Sequence, residues 1–225
     1  MNDDLSALAG FDGLARLFPL PNLVLFPQVV QGLHIFEPRY RQMTADALDT
    51  DKMIALVLLK KGWEQDYDGK PAIESVACLS RITQHERLPD GRYNLRVRGL
   101  VRLRLIQEIP PCKLYRIAQT ETLSDKLDAE IARLVQLRKK LGEVVSRRFN
   151  EQSSIQKYLR ELFASETPLG HLCDILAYAL PLEIELKQHL LDETNVVARA
   201  EMLIHSLEGQ RPPAPRSFPP DFSLN

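Results

Sequence analysis

The 225-residue sequence has few cysteines, a single tryptophan and no long apolar run. Its three cysteines, Cys78, Cys112 and Cys173, are far apart and odd in number, which argues against a disulfide framework or a paired-cysteine zinc site. The longest dense apolar stretch, residues 53–59, is too short to span a bilayer. The opening MNDDLSALAG has no basic segment before an apolar one, which predicts no signal peptide. We therefore expect a cytoplasmic protein with reduced thiols.

An excess of charge of either sign is also missing. The formal net charge is -1, which gives no overall attraction to nucleic acid or to an anionic membrane. The hydrophobic fraction of 44% and the charged fraction of 26% are typical of a soluble globular protein. These values argue against nucleic acid and membrane as partners.

Residue patterns for catalysis are missing as well. None of the five histidines lies in an H-E-x-x-H motif or pairs with a cysteine at ligand spacing. No G-x-x-x-x-G-K-[ST] phosphate loop occurs, since the one Gly-Lys pair, Gly69-Lys70, is followed by Pro71. Cys78 has no basic neighbour in the sequence to lower its pKa, which favours a buried thiol over a nucleophile. We expect no cofactor, no metal site and no enzymatic activity.

Short strands are predicted for residues 14–122, with one helix among them. Pro38 fits the first turn of that helix, PRYRQMTADAL, in which Tyr40, Met43 and Ala47 have the spacing of an inward face. The run MIALVLLK has the length and composition of a strand buried on both faces. The pattern predicts a compact mixed β-barrel or folded sheet.

The hydrophobic period changes from two to about 3.6 at Ser124, which is a candidate N-cap. One helical face is predicted to contain Leu127, Ile131, Leu134, Leu141 and Val145. Thr167 and Pro168 have the signature of a cap and a first turn. We expect a flexible segment at 1–13, a β-rich part at 14–122, a helical bundle at 123–208 and a disordered proline-rich tail at 209–225.

The stretch LPDGRYNLRVRGLVRLRL, residues 88–105, alternates arginines with apolar residues. One interpretation is the solvated face of two strands that meet at a turn or bulge at Gly99, with every arginine pointing outward. The other is an anion-binding face for RNA or an acidic partner. Its residues would be Arg96, Arg98, Arg102 and Arg104.

Three stretches in this order resemble the N-terminal, substrate-binding domain of Lon proteases. They are LFPLPNLVLFP with LHIFEPRYRQM, then MIALVLL with LPDGRYNLRVRGLVRLRLI, and LCDILAYALPLEIELKQHLLDETNVVARAEMLIHSL at the helical end. The resemblance runs from about residue 17 to 207, and GWEQDYDGKP is similar to a loop of stand-alone bacterial members. Two positions depart from the pattern, which has Gly where Gln28 stands and Pro where Gly32 stands.

The resemblance implies an α+β fold, with a PUA-like β-rich barrel or sheet followed by a C-terminal α-helical bundle. It implies a non-catalytic module that binds unfolded or extended polypeptide, without the ATPase and peptidase domains of the full protease. Such a module would act as an adaptor or chaperone-like partner of a separate protease. Because PUA-like folds also serve RNA-binding proteins, RNA or acidic-partner binding is the alternative. The sequence sets no oligomeric state.

Four aromatic residues are candidate contacts for a polypeptide. Trp63 and Tyr67 lie in the polar loop KKGWEQDYDGKP, and Phe36 and Tyr40 lie beside the short helix. Exposed tryptophan and tyrosine make effective anchors because they bury a large area while fixing few torsions. The alternative is that Trp63 covers the core and Tyr40 packs inward.

Overall fold

A computed structural model describes residues 8–66, 69–149 and 153–209 of the chain. The chain divides into two compact units between Ser124 and Asp125. Most of the predicted flexible N-terminus, and the predicted tail beyond Gly209, lie outside the described residues. The first unit is rich in strands and the second is helical, and the fold class is α+β.

The β-rich unit is built on a six-stranded sheet with strand order β2-β5-β4-β3-β1-β6. Because β5 also pairs with β6, five strands close into a barrel and β2 lies beside the first half of β5. The β1–β3 pair is parallel and the other pairs are antiparallel. The elements are β1 (Leu14–Leu20), β2 (Val30–Ile35), α1 (Pro38–Leu48), β3 (Met53–Leu58), a 3-10 helix (Trp63–Asp66), β4 (Val76–Arg87), β5 (Tyr93–Glu108) and β6 (Ile117–Leu123).

Helix α1 and strand β3 confirm the sequence predictions. Pro38 occupies the first turn of α1, where its missing N–H costs no intrahelical bond. Tyr40, Met43 and Ala47 are buried on the inner face of this helix. All six residues of β3 are buried, because β3 is a central strand covered on both sides.

The arginine-rich stretch is one 16-residue strand, β5, and not the two strands that we predicted to meet at Gly99. Gly99 marks the place where β5 changes partner: Tyr93–Arg98 pair with β2, and the ladder with β6 begins at Arg102. The β4–β5 register shifts at the same place, as expected for a bulge. A side chain at position 99 would overlap the carbonyl oxygen of Phe26, so the close approach of that loop requires glycine.

A turn at Phe26–Val29 leads into β2. The N–H of Val29 donates to the carbonyl of Phe26 at 3.3 Å, and Gln28 has a φ of 66°. Glycine, which the resemblance leads us to expect at position 28, adopts this left-handed conformation without steric cost. The side-chain Oε1 of Gln28 accepts a hydrogen bond from Nη2 of Arg98 at 2.6 Å, which compensates part of the strain.

The helical unit contains five helices in the described residues. They are α2 (Ile131–Arg148), α3 (Ser153–Ala164), α4 (Leu169–Ala179), α5 (Ile184–Asp192) and α6 (Val196–Gly209). Helix α2 packs against α6 and α3, and α4 packs against α6 and α5. The arrangement is a small bundle, as the hydrophobic period predicts.

The first helix of this bundle begins later than predicted, although the helical unit itself begins at Asp125. The first helix begins at Ile131 and not after Ser124, and Leu127 lies in an irregular segment. Leu127 and Ile131 are 61% and 80% exposed, whereas Leu141 and Val145 are buried as predicted. The N-cap of α4 is Pro168 and not the predicted Thr167, so this helix begins one residue later than predicted.

Candidate functional site

The β-rich unit contains a cavity of about 190 Å³ between the start of α1 and the segment that joins β5 to β6. Its walls are mainly apolar, and they come from sequence-distant parts of the unit: Pro19, Tyr40, Leu59, Ile109, Pro110, Pro111, Leu114 and Ile117. Leu114 is 65% exposed although it lines the cavity. An apolar recess with an exposed leucine at its margin fits an apolar side chain of a ligand.

One end of the joining segment is fixed by Arg116. Its guanidinium donates to both carboxylate oxygens of Glu108, at 2.6 and 2.9 Å, and to the carbonyl of Pro71 at 2.7 Å. Lys70 lies 3.1 Å from the same carboxylate. Burial alone would raise the pKa of Glu108, but the hydrogen bonds from Arg116 and Lys70 hold it below its usual value. Glu108 is therefore a charged, paired group and not a candidate general acid.

The other end is fixed to helix α1. The Tyr115 hydroxyl donates to the carboxylate of Asp46 at 2.8 Å, and Lys113 lies 3.0 Å from the same oxygen. Burial and the bond to Asp46 raise the pKa of Tyr115 to about 12, so the phenol stays protonated and keeps donating. The N–H of Leu114 donates to Oε1 of Gln42 at 3.0 Å. The cavity margin is thus held in place before any ligand binds.

The four aromatic candidates have different environments. Tyr40 is 6% exposed, packs on Phe18 with ring centroids 4.5 Å apart and lines the cavity. Trp63 is half-buried in its 3-10 helix, and Tyr67 lies outside the described residues. Phe36 is 43% exposed, stacks on His34 at 6.2 Å and follows the end of β2. Of the three candidates that the structure describes, Tyr40 alone is a wall of the cavity.

The four arginines do not form one solvent-exposed row. Arg102 is 2% exposed, which corrects the expectation that every arginine of the stretch points outward. Its cross-strand neighbour Cys78 is also fully buried, because both faces of this part of the barrel wall are covered. Arg104 is exposed and lies 2.9 Å from Glu121. Arg96 and Arg98 remain on the outer face, beside β2.

The model of the ATP-dependent protease La (LON) substrate-binding domain family matches residues 15–209. The chain belongs to this family. It is 30% identical over 198 residues to the Lon protease of Anaeromyxobacter dehalogenans and 27% identical over 198 residues to Lon protease 2 of Myxococcus xanthus. Each match covers 87% of this chain and 23% of the relative, so the chain spans less than a quarter of their length.

Two solved structures share the fold of this LON domain. A Lon N-terminal domain protein from Xanthomonas campestris superposes with a TM-score of 0.62 at 23% identity, covering 85% of this chain and 97% of that one. The N-terminal domain of Mycobacterium avium complex Lon protease gives 0.68 at 15% identity, covering 87% and 98%. The α+β fold is therefore that of Lon N-terminal domains.

The helical unit of this LON domain contains a buried charge cluster. Arg199 is 0% exposed; its Nη2 donates to Asp125 at 2.7 Å, and its Nη1 donates to the carbonyl of Glu193 at 3.0 Å. Its Nε lies 3.5 Å from the fully buried Asp174. Burial alone would lower the pKa of Arg199, but the charges of Asp174 and Asp125 raise it above its ordinary value. These contacts identify the cluster as a structural element.

The segment that joins β5 to β6 was not predicted from the sequence as part of a binding site. It contains Pro110, Pro111, Cys112 and Leu114, but these have no periodicity, and the residues they meet are distant in sequence. The proline pair was the available signal of a rigid connection. Over the residues that the structure describes, no cluster of three or more metal-ligating side chains occurs, and no helix could cross a membrane.

Proposed function

We propose that this chain binds unfolded or extended polypeptide at the cavity of its β-rich unit and carries out no reaction on it. The observation that carries the proposal is the apolar cavity with Leu114 exposed at its margin. Membership of a family described as substrate-binding supports polypeptide as the ligand. The candidate contacts are Leu114 and Tyr40 at the cavity. Trp63, Tyr67 and Phe36 are proposed as further contacts on their aromatic character.

The size of the cavity supports a side chain as its occupant. A volume of about 190 Å³ is below the roughly 300–1,000 Å³ of pockets that enclose a whole small molecule. An aliphatic or aromatic side chain of a longer chain fits such a recess, while the rest of the polypeptide stays outside. Binding of this kind selects for exposed apolar residues, which unfolded proteins present and folded ones bury.

We further propose that the chain is a cytoplasmic adaptor or chaperone-like partner of a separate protease. Membership of the substrate-binding family over residues 15–209 supports this role. The 225 residues contain no phosphate loop for ATP hydrolysis. Incubation of the protein with ATP, Mg²⁺ and an unfolded polypeptide should leave both nucleotide and polypeptide intact.

We do not propose RNA binding as the function. That alternative rested on four outward-facing arginines. Arg102 is buried, and Arg104 forms an ion pair with Glu121. The formal net charge of -1 adds no long-range attraction for phosphates.

The proposal is tested by two leucine variants that differ only in location. Leu114 is 65% exposed at the cavity, and Leu127 is 61% exposed in the helical unit. Affinity for fluorescein-labelled, reduced and carboxymethylated α-lactalbumin is measured by anisotropy. Leu114→Ser should weaken binding by about tenfold, since a lost leucine contact is worth about 1.5 kcal/mol. Leu127→Ser should bind like the wild type. Equal affinity of all three proteins would contradict the proposal.

A further inference from the structure

Strand β2 is an edge strand. Within the described residues, Val30–Ile35 pair with β5 and with no other strand. An edge strand presents a row of backbone N–H and C=O groups that can pair with another extended chain. Which residues present them is fixed by the hydrogen-bonding phase of the β2–β5 ladder.

The bulge at the start of β2 sets this phase. The N–H of Gln28 donates to the carbonyl of Gly99, and the N–H of Gly99 donates to the carbonyl of Val29, both at 2.8 Å. Two residues therefore oppose Gly99, with Gln28 in the left-handed conformation expected at the first bulge position. Val29 and Gly99 form a hydrogen-bonded pair, and such pairs alternate along an antiparallel ladder.

It follows that Gln31, Leu33 and Ile35 direct their backbone groups toward β5, with their side chains buried. Val30, Gly32 and His34 direct theirs toward the opposite edge. One of these groups is already engaged, because the Gln31 side chain donates to the carbonyl of Gly32. By the same phase, the N–H of Gly32 points to the outer edge and not toward β5. This edge offers alternating donors and acceptors that match an extended main chain.

The face beside this edge is cationic. Arg96 lies directly across from Gly32, Arg98 lies across from Val30, and Arg81 lies across from Arg98 on β4. Gly32 has no side chain that would separate Arg96 from the outer edge of β2. A strand added to β2 would lie two strand spacings, about 10 Å, from β5. An extended arginine side chain on β5 and an extended glutamate side chain on the added strand together bridge that distance. A ligand with acidic side chains therefore complements this face.

We propose that an extended polypeptide segment with acidic residues at alternate positions adds to the outer edge of β2 as a further strand. Backbone hydrogen bonds to Val30, Gly32 and His34 hold it, and its acidic side chains lie on the face of Arg96 and Arg98. The proposal rests on polypeptide as the ligand of the proposed function, but it uses a surface that does not include the cavity residue Leu114.

The test uses a fluorescein-labelled decapeptide of alternating valine and glutamate, the full chain, and its Gly32→Pro and Gly32→Ala variants. Proline removes the outward N–H and leaves the bonds to β5 intact, whereas alanine keeps the N–H. Gly32→Pro should weaken binding by about tenfold, while Gly32→Ala and Leu127→Ser should stay within about threefold of the wild type. Equal affinities of the proline and alanine variants, or no binding of the peptide to the wild type, would overturn the proposal.

Three further peptides separate the backbone from the charge. One has all its valine amides N-methylated and another has all its glutamate amides N-methylated; one of these two should lose binding and the other should keep it. In the third, lysine replaces glutamate, and binding should weaken by about tenfold or more. Equal effects of the two methylated sets, or equal binding of the lysine peptide, would overturn the proposal.

Self-association of the wild type that Gly32→Pro abolishes would assign the edge to a second copy instead. Loss of α-lactalbumin binding in Leu114→Ser alone tests the cavity separately.

Discussion

Arg199 shows how one side chain fixes three separate segments of the helical unit. It lies on α6, contacts Asp174 on α4, and donates to the carbonyl of Glu193 after α5. It also bonds Asp125, near the start of the unit. A guanidinium suits this position because its planar set of donors reaches several acceptors at once. Its burial is acceptable only because opposite charge and hydrogen bonds accompany it.

Substitution of Arg199 should therefore destabilise the protein strongly. Arg199→Met leaves the fully buried carboxylate of Asp174 without its cation, and we expect a loss of about 3–5 kcal/mol in the free energy of unfolding. Urea denaturation followed by circular dichroism measures it. The control is Lys140→Met, which removes an exposed ion pair with Glu208 and should cost less than about 1 kcal/mol. Combining Arg199→Met with Asp174→Leu should restore much of the loss; an unchanged stability of the single variant would contradict this assignment.

Lys187 gives the helical unit a measurable pH dependence. Its ammonium is half-buried and donates to the carbonyl of Tyr178 at 2.7 Å, and burial lowers its pKa from 10.5 to about 8. Between these values the unfolded chain holds a proton that the folded chain has released. The contribution of Lys187 to stability therefore rises as pH increases through this window. Burial raises the pKa of Tyr178 to about 12, so ionisation of the unfolded tyrosine opposes this trend near its ordinary value of 10.

The effect is measured as the free energy of unfolding from about pH 7 to 9.5. The wild type should gain stability relative to Lys187→Met as pH rises above about 8. The exposed Lys139 supplies the matched control, since Lys139→Met should keep the wild-type profile. Parallel curves for the wild type and Lys187→Met would show that this lysine titrates normally in the folded protein.

At the scale of single elements, β5 is the strand that organises the barrel. It is long enough to pair with β2 along its first part and with β6 along its second. The change of partner at Gly99 coincides with the loop at Phe26, which crosses close to the strand. The bulge and Gly99 together allow β5 to pair with β2 along its first part and with β6 along its second.

Gly99→Ala tests this role. The added methyl group overlaps the carbonyl of Phe26, a backbone atom that the turn at Gln28 holds in place, so we expect a loss of about 1–3 kcal/mol. Thermal unfolding compares the variant with Gly209→Ala, where the new methyl group meets no atom within 4 Å. If both variants melt like the wild type, the close approach at Gly99 does not constrain the barrel.

The elements differ in how far their sequences determine them. Helix α1 was predictable because Pro38 marks its start and Tyr40, Met43 and Ala47 share one face. The start of α2 was not, because the exposed Leu127 and Ile131 have the spacing of core residues. Periodicity reports which residues share a face but not whether another element covers that face. The same limit explains Arg102, which is buried although the alternation places it outward.

At the scale of the whole molecule, the two units were apparent as a change of hydrophobic period, although the first helix begins at Ile131. The cavity was not predictable, because Pro19, Tyr40 and the segment that joins β5 to β6 meet only in the folded barrel. Of the aromatic candidates that the structure describes, Trp63, Phe36 and Tyr40, it places only Tyr40 there. Chemical type selects candidate contact residues, but tertiary structure decides which of them line a recess.

We propose above all that the β-rich unit binds polypeptide at its cavity. Hydrogen exchange of the full chain, with and without saturating reduced and carboxymethylated α-lactalbumin, tests it directly, because every amide reports where exchange slows. The account predicts slower exchange at residues 112–117, beside the cavity, and no change along helix α2 (Ile131–Arg148). Protection confined to the helical unit, or no protection at 112–117 despite binding, would contradict it.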